Sequence, residues 1–219
     1  MSKIVFLDVD GTLIDYEAKL PASAAKAVDQ ARANGHKVYI CTGCSKAEIL
    51  QRNLCDLDGM IGGNGAYVED NGHVVMHQGL SKEDVKNIVD WCNERHIGFY
   101  LEANSGMYCN DYMLEQGPET MVKYAKGKGA SLENAKSSAQ HFIDGFIHLQ
   151  GDELYRDDVN KISFILRTYQ DHLDSKVDFP HLVANTWGGK GEVALFGDLG
   201  PTGLSLIHIS EPTRRSYIS

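Results

Sequence analysis

An apolar, β-forming segment close to the N-terminus constrains the fold more than any other feature of the sequence. It runs from Lys3 to Val9 and leads into the loop Asp10-Gly11-Thr12. A short run of this composition that ends in a glycine-containing loop is typical of a strand buried in a parallel sheet. We therefore expect the chain to start with a central strand of an α/β fold.

The segments that follow predict an alternation of helices and strands. Pro21 opens an alanine-rich helix, and residues 37–41 form the next apolar strand. Ser45 and Glu48 have the spacing of a capping box, which predicts a helix reaching about Leu54. Strand, helix, strand and helix in this order predict an α/β fold with a parallel sheet.

From about residue 66 the pattern changes to hairpins and single helices. The expected elements are a hairpin at 66–76, a helix at 81–95, a hairpin at 99–109, a strand at 161–167, a helix at 169–176 and a hairpin joining 182–186 to 193–196. We therefore expect residues 1–78 to form the α/β domain and residues 79–199 to form a second, α+β domain.

Asp8 and Asp10 stand two residues apart at the carboxyl end of the first strand. In an extended chain such residues face the same side, and open α/β sheets bind ligands at this end of their strands. Two neighbouring carboxylates repel each other, and a hard cation such as Mg²⁺ relieves this while also binding a substrate phosphate. Gly11 permits close approach of backbone amides, and Thr12 adds a hydroxyl donor. The pattern predicts a Mg²⁺ and phosphate site, with a plain Asp/Gly turn as the alternative.

Residues 8–13, Asp-Val-Asp-Gly-Thr-Leu, resemble motif I of the haloacid dehalogenase superfamily. The resemblance implies that Asp8 is a nucleophile, that Asp10 is an acid/base, and that both bind Mg²⁺. It further implies a phosphatase that hydrolyses a small phosphomonoester, such as a sugar phosphate, through an aspartyl-phosphate. A phosphomutase, which shares the covalent step, and a non-catalytic Mg²⁺- or phosphate-binding remnant are the alternatives.

Two more segments resemble motifs of this family, so that the resemblance covers residues 1 to about 200. Thr42 and Gly43 follow the second strand as motif II does, and Asn64 lies in an Asn-Gly segment after the third strand. All three are therefore expected to bind phosphate. Cof-like members commonly have arginine where this chain has Cys44, which puts an arginine-dependent role there in doubt. The α+β segment after the third strand resembles a C2B-type cap domain inserted into a partial Rossmannoid sheet.

The later motifs of the family have no clear counterpart. A lysine of motif III and an acidic pair of motif IV should follow the cap, whereas Lys190 and Asp198 lie in an expected cap hairpin. Residues 204–214 resemble translated sequencing-adapter sequence, so we expect residues 200–219 to be a non-native tail in place of the C-terminal core. The motif III lysine would supply a positive charge beside the phosphate, and motif IV would supply a third carboxylate for the metal. A chain that lacks both is expected to have little phosphatase activity.

The second domain contains weaker candidates for substrate contact. Glu102 and Asn104 stand at the end of an expected strand. The neighbouring aromatic residues are expected to form core, although one or two could line a substrate pocket; they are Phe99, Tyr100, Tyr108 and Tyr112.

Composition excludes several other functions. With 30 acidic against 21 basic side chains the formal net charge is −9, which disfavours nucleic acid and anionic membranes as partners. No apolar run approaches the roughly 20 residues of a membrane span, and no signal peptide is visible. Five cysteines without a scaffold spacing are expected to be reduced. We expect a cytoplasmic protein with a small-molecule substrate; a redox Cys41–Cys44 pair and a His73–His77 metal pair are weaker alternatives.

Overall fold

The computed structural model describes residues 1–15, 19–52 and 54–204. Residues 79–202 form one compact unit, and the rest of the described chain forms another. One sheet has five strands and the other has six. In the described part of the chain, no helix is both long and apolar enough to cross a membrane. Most of the expected tail, residues 205–219, lies outside the described residues, and the second unit continues to Thr202.

The first unit is built on the predicted parallel sheet. Its elements are β1 (Ile4–Leu7), α1 (Ala22–Ala33), β2 (Lys37–Cys41), α2 (Lys46–Leu50), β3 (Gly59–Gly62), β4 (Tyr67–Asp70) and β5 (His73–His77). The strands lie in sequence order, with β1, β2 and β3 parallel and the hairpin β4–β5 antiparallel. The predicted α/β fold class is confirmed. The predicted turn at Asn71 and Gly72 has positive φ at both residues, as a tight hairpin requires.

Helix α2 is shorter than the sequence predicted. Ser45 Oγ accepts a hydrogen bond from the Glu48 amide at 3.4 Å, which is half of the predicted capping box. The Glu48 carboxylate, however, accepts from Arg52 Nη2 at 2.6 Å. The helix ends at Leu50 rather than near Leu54, and a turn at Gln51 and Arg52 follows it.

The second unit surrounds a six-stranded sheet with four helices. Its elements are α3 (Lys82–Glu94), β6 (Phe99–Ala103), β7 (Met107–Cys109), α4 (Asp111–Gly127), α5 (Leu132–Asp144), β8 (Phe146–His148), β9 (Val159–Ile165), α6 (Tyr169–Asp178), β10 (Val183–Trp187) and β11 (Phe196–Gly200). The strand order is β10-β11-β9-β6-β7-β8. The sequence analysis did not anticipate α4, α5 or β8.

Helix α4 escaped prediction because its middle carries Gly117 and Pro118, which normally interrupt a helix. The structure gives Gly117 a packing role instead. A Cβ at this position would lie 2.9 Å from Ile143 Cδ1 of α5, so glycine allows the two helices to approach closely.

The predicted hairpin at 182–196 has the wrong second strand. Its true partner is β11, which starts at Phe196 because a loop with a 3₁₀ turn at Gly191–Val193 occupies the residues before it. Phe196 and Leu199 are fully buried in β11, which explains why the strand forms there. Asp198 is thus a strand residue whose Oδ1 accepts from Asn185 Nδ2 at 3.1 Å.

Asn110 connects β6, the turn before it and the start of α4. It is 3% exposed, and its Oδ1 accepts from the amides of Phe99 at 3.1 Å and Met113 at 3.0 Å. Its Nδ2 donates to the carbonyl of Ile97 at 3.1 Å. One side chain therefore satisfies three backbone groups.

We predict that Asn110→Ala lowers the free energy of unfolding by about 3 kcal/mol, because it removes a helix cap and leaves buried backbone groups without a partner. Ser131→Ala is the matched control, since Ser131 caps α5 at an exposed position and its loss should cost about 1 kcal/mol. Urea unfolding of both variants measures the difference. Equal costs would contradict the role given to Asn110.

Candidate active site at the ends of the parallel strands

The predicted site residues of the first unit follow the carboxyl ends of three parallel strands. Asp8 comes directly after β1, Thr42 directly after β2, and Asn64 two residues after β3. Parallel pairing aligns Leu7 with Ile40 and Cys41 with Ile61, so the three strands end at one edge of the sheet. This edge is where open α/β sheets bind ligands.

The aspartate loop is anchored by the residue between its two carboxylates. Val9 is fully buried in the core of the first unit, whereas Asp8 and Asp10 are exposed. The Ile14 amide donates to the Val9 carbonyl at 3.0 Å, and the Leu13 amide donates to the Asp8 carbonyl at 3.2 Å. The loop thus buries Val9 and leaves both carboxylates accessible to a ligand.

Gly11 and Thr12 form the turn of this loop. Gly11 has φ +77°, which favours glycine, and its amide donates to the Ile14 carbonyl at 3.0 Å. The Thr12 amide donates to the Val9 carbonyl at 3.3 Å, and the Thr12 side chain is exposed. The backbone amides of Gly11 and Thr12 are therefore engaged inside the loop, and the predicted role of the Thr12 hydroxyl as a phosphate donor stays a prediction.

Thr42, Gly43 and Asn64 come together beside the loop. Thr42 is 2% exposed, and its Oγ1 accepts from the Cys44 amide at 3.2 Å, which leaves the hydroxyl proton able to donate elsewhere. A Cβ on Gly43 would lie 2.9 Å from Asn64 Oδ1, so these two residues are in close contact. Asn64 itself has φ +58°. The structure thus brings Asn64 against the Thr42-Gly43 pair, from which it is distant in sequence.

Arg52 belongs to this site, and the sequence analysis missed it. Its Nη1 donates to Asp10 Oδ1 at 2.5 Å and its Nη2 to Glu48 Oε1 at 2.6 Å. Cys44 Sγ lies 3.5 Å from the same Nη2 and 3.7 Å from Asp10 Oδ2. The spacing of Glu48 and Arg52, four residues apart on a predicted helix, was the signal that could have identified the ion pair.

The Arg52 guanidinium is held as a cation by its neighbours. Burial alone would lower the pKa of Arg52, but Cys44, Glu48 and Asp10 together raise this pKa above its ordinary value. Its side chain is 20% exposed, compared with 60% for Asp10. A fixed positive charge therefore stands beside one of the two predicted reactive carboxylates.

The donor set fits Mg²⁺ as a partial site. Among the described residues, no group of three or more His, Cys, Asp and Glu side chains could hold a metal ion. Mg²⁺ nevertheless commonly binds through one or two carboxylates together with substrate phosphate and water. The exposed carboxylates of Asp8 and Asp10 supply such a pair, although Arg52 already contacts one oxygen of Asp10.

The substrate-contact candidates of the second unit have internal partners. Glu102 is fully buried and accepts from Lys161 Nζ at 2.8 Å and from Ser163 Oγ at 2.7 Å. Asn104 Oδ1 accepts from Asn160 Nδ2 at 2.8 Å. Three of the four aromatic residues, Phe99, Tyr100 and Tyr108, are buried core, and Tyr112 is half-buried.

The weaker metal and redox alternatives gain no support. All five cysteines are thiols, so no disulfide joins Cys41 to Cys44. His73 and His77 are both exposed on β5.

The comparisons with known proteins agree on one family. A family model described as haloacid dehalogenase-like hydrolase matches residues 5–193. The 5-amino-6-(5-phospho-D-ribitylamino)uracil phosphatase YwtE of Bacillus subtilis is 31% identical over 114 residues, which is 51% of this chain and 37% of that protein. The chain spans less than half the length of the curated relatives it matches.

Solved structures show the same fold. A haloacid dehalogenase-like hydrolase from B. subtilis superposes with a TM-score of 0.74 at 18% identity, covering 100% of this chain and 80% of the other. The subclass IIB sugar phosphatase BT4131 superposes with a TM-score of 0.67 at 22% identity, covering 100% and 77%. Because the family model matches well over half of its residues, the chain belongs to the haloacid dehalogenase-like hydrolases.

Proposed function

We propose that this chain carries the nucleophile and the acid/base of a Mg²⁺-dependent phosphatase that hydrolyses a small phosphomonoester. The observation that carries the proposal is the aspartate loop. In a chain of this hydrolase family, Asp8 and Asp10 lie exposed on either side of the buried Val9, at the carboxyl end of β1. A loop that only capped the strand would not need two adjacent exposed carboxylates.

The first half-reaction transfers the phosphoryl group to Asp8. A carboxylate oxygen of Asp8 attacks phosphorus, the bond from phosphorus to the ester oxygen breaks, and Asp10 gives its proton to the departing alkoxide. Asp8 is then an aspartyl-phosphate. When bound, Mg²⁺ neutralises charge on the phosphate and on the attacking carboxylate.

The second half-reaction returns the enzyme to its starting state. Asp10, now a carboxylate, takes a proton from a water molecule, and the resulting hydroxide attacks phosphorus to release inorganic phosphate and Asp8. Thr42 has a hydroxyl proton available to hold a phosphate oxygen, and Asn64 offers a side-chain amide beside Gly43. Donors held in place by buried backbone lose little order when phosphate binds.

The proposed substrate is a phosphorylated sugar, polyol or similar small molecule. The relative YwtE is named for a phosphoribityl compound, and the fold neighbour BT4131 is named a sugar phosphatase. We assign residues 79–199 the role of a C2B-type cap that selects the substrate. The proposed location is the cytoplasm.

A non-catalytic binding function is the second candidate, and one observation favours it. The described residues supply two carboxylates for a metal but no third, and Arg52 pairs with one of the two. A site of this composition could bind phosphate or Mg²⁺ with slow turnover. We therefore expect the chain on its own to be a slow phosphatase, since each missing preorganised charge typically costs about 100-fold or more.

We predict that Asp8→Asn lowers turnover roughly 1000-fold or more and abolishes the phosphoenzyme, because a neutral amide is a poor nucleophile. Intact-mass spectrometry after acid quenching in a chromogenic phosphomonoester and Mg²⁺ detects the phosphoenzyme. Asp15→Asn is the control, since Asp15 Oδ1 accepts from the Lys19 amide at 2.9 Å and an amide oxygen can do the same. Phosphorylated Asp8→Asn protein would refute the assignment.

We predict that Asp10→Asn lowers kcat/KM about 100-fold for phenyl phosphate and much less for p-nitrophenyl phosphate. The nitrophenolate leaves without a proton, whereas phenolate departure benefits from general acid help. Steady-state kinetics with both esters measures the ratio. Equal losses for the two esters would show that Asp10 is not the general acid.

We predict that a chelator abolishes turnover and that added Mg²⁺ restores it, whereas Ca²⁺ does not, because the larger ion accepts looser coordination. Mg²⁺ should also raise the Tm of the wild-type chain more than that of Asp8→Asn, since ligand binding to the folded state stabilises it. Turnover that persists in chelator would contradict the metal requirement.

A further inference from the structure

Arg52 stands outside every segment that resembles a family motif, yet it contacts the proposed acid/base directly. It follows α2, whereas Asp10 follows β1, so their ion pair joins two loops at the same edge of the sheet. Glu48 fixes the guanidinium from the other side, at 2.6 Å from Nη2. The chain of contacts runs from Glu48 through Arg52 to Asp10.

The side chains of this contact chain differ in how far they are exposed to water. The Glu48 side chain is 15% exposed and the Arg52 side chain 20%, whereas Asp10 is 60% exposed. Glu48 and Arg52 are therefore shielded from water, whereas Asp10 faces it. An ion pair that is mainly exposed contributes little, but a guanidinium anchored by a second, shielded carboxylate has few other positions to adopt.

We propose that Arg52 is a positioning residue that holds the Asp10 carboxylate for the half-reaction in which water attacks the phosphoenzyme. The inference rests on the proposed function. In that step Asp10 takes a proton from water, and a guanidinium on Oδ1 that is itself anchored by Glu48 fixes the orientation of the carboxylate. Oδ2, which lies 3.7 Å from Cys44 Sγ, is then the oxygen that takes the proton of the water molecule.

The same contacts argue against Arg52 as a phosphate ligand. Its Nη1 is engaged by Asp10, and its Nη2 is engaged by Glu48 and Cys44. A guanidinium that binds phosphate in a forked geometry needs two adjacent N–H groups directed at the ligand. Here both terminal nitrogens already face protein acceptors.

Arg52→Gln separates the two half-reactions when the substrate is p-nitrophenyl phosphate. Phosphoenzyme formation needs no proton with this leaving group, so we expect kcat/KM to stay within about twofold of wild type. Hydrolysis of the phosphoenzyme needs Asp10, so kcat should fall about tenfold and the phosphorylated fraction at steady state should rise. Glu48→Gln should also lower kcat and raise the phosphorylated fraction, but by less than Arg52→Gln does.

Arg32→Gln is the matched control. Arg32 is also a partly shielded arginine of the first unit, and its Nε lies 3.3 Å from Asp58 Oδ2. This variant also loses an ion pair but should leave the phosphorylated fraction unchanged. If Arg32→Gln raised that fraction as Arg52→Gln does, the effect would be one of general stability and the positioning role would be overturned. A raised KM with lowered kcat/KM in Arg52→Gln would make it a phosphate ligand and would also overturn the proposal.

A double-mutant cycle tests the contact without any turnover. Urea unfolding of Arg52→Gln, Asp10→Asn and the double variant should show a coupling of about two- to fivefold in the unfolding equilibrium constant. A second cycle that combines Arg32→Gln with Asp10→Asn should show no coupling. Absence of coupling between Arg52 and Asp10 would overturn the inference whatever the kinetics. Absence of an Asp8-dependent phosphoenzyme in the wild-type chain would instead remove the proposed function, and the role with it.

Discussion

The candidate site depends on the parallel pairing of β1, β2 and β3. Phe6 lies opposite Tyr39 and Cys41 opposite Ile61, and this register brings the ends of three strands together although 34 positions separate Asp8 from Thr42 in sequence. Burial of Val9 then fixes the loop that follows β1. Since a slip of one residue would turn Asp8 and Asp10 inward and Val9 outward, the apolar core and the carboxylate pair specify the same register.

The electrostatics of the site place competing demands on Asp10. Next to Asp8 it needs a positive charge to relieve repulsion, and both Mg²⁺ and a guanidinium can provide one. Arg52 does so from within the chain, through its contact with Asp10 Oδ1. A protein cation is present in every state of the cycle, whereas a metal ion must bind. Because the guanidinium contacts Asp10 Oδ1, it orients the carboxylate for the step in which water attacks the phosphoenzyme.

Sequence reasoning reached the parts of the fold that have local signals. Alternating apolar segments predicted β1 and β2, and Asn71-Gly72 predicted the hairpin after β3. It missed α4 because Gly117 and Pro118 mark a break that packing against α5 overrides. It also placed the last strand at 193–196, whereas β11 runs from Phe196 to Gly200. Arg52 could not be assigned to the site because its partner Asp10 lies on a distant loop, and only the folded chain brings them together.

The cysteine after Gly43 and the arginine after α2 are best understood together. Cys44 Sγ lies 3.7 Å from Asp10 Oδ2, 3.2 Å from Glu48 Oε1 and 3.5 Å from Arg52 Nη2, so it occupies the centre of the ion-pair network. The Arg52 guanidinium contacts Asp10 through Nη1 and Glu48 through Nη2. A guanidinium suits this arrangement better than an ammonium group because its planar fork reaches two carboxylates at once. Cys44 therefore contacts all three charged members of this network, and Arg52 supplies its positive charge.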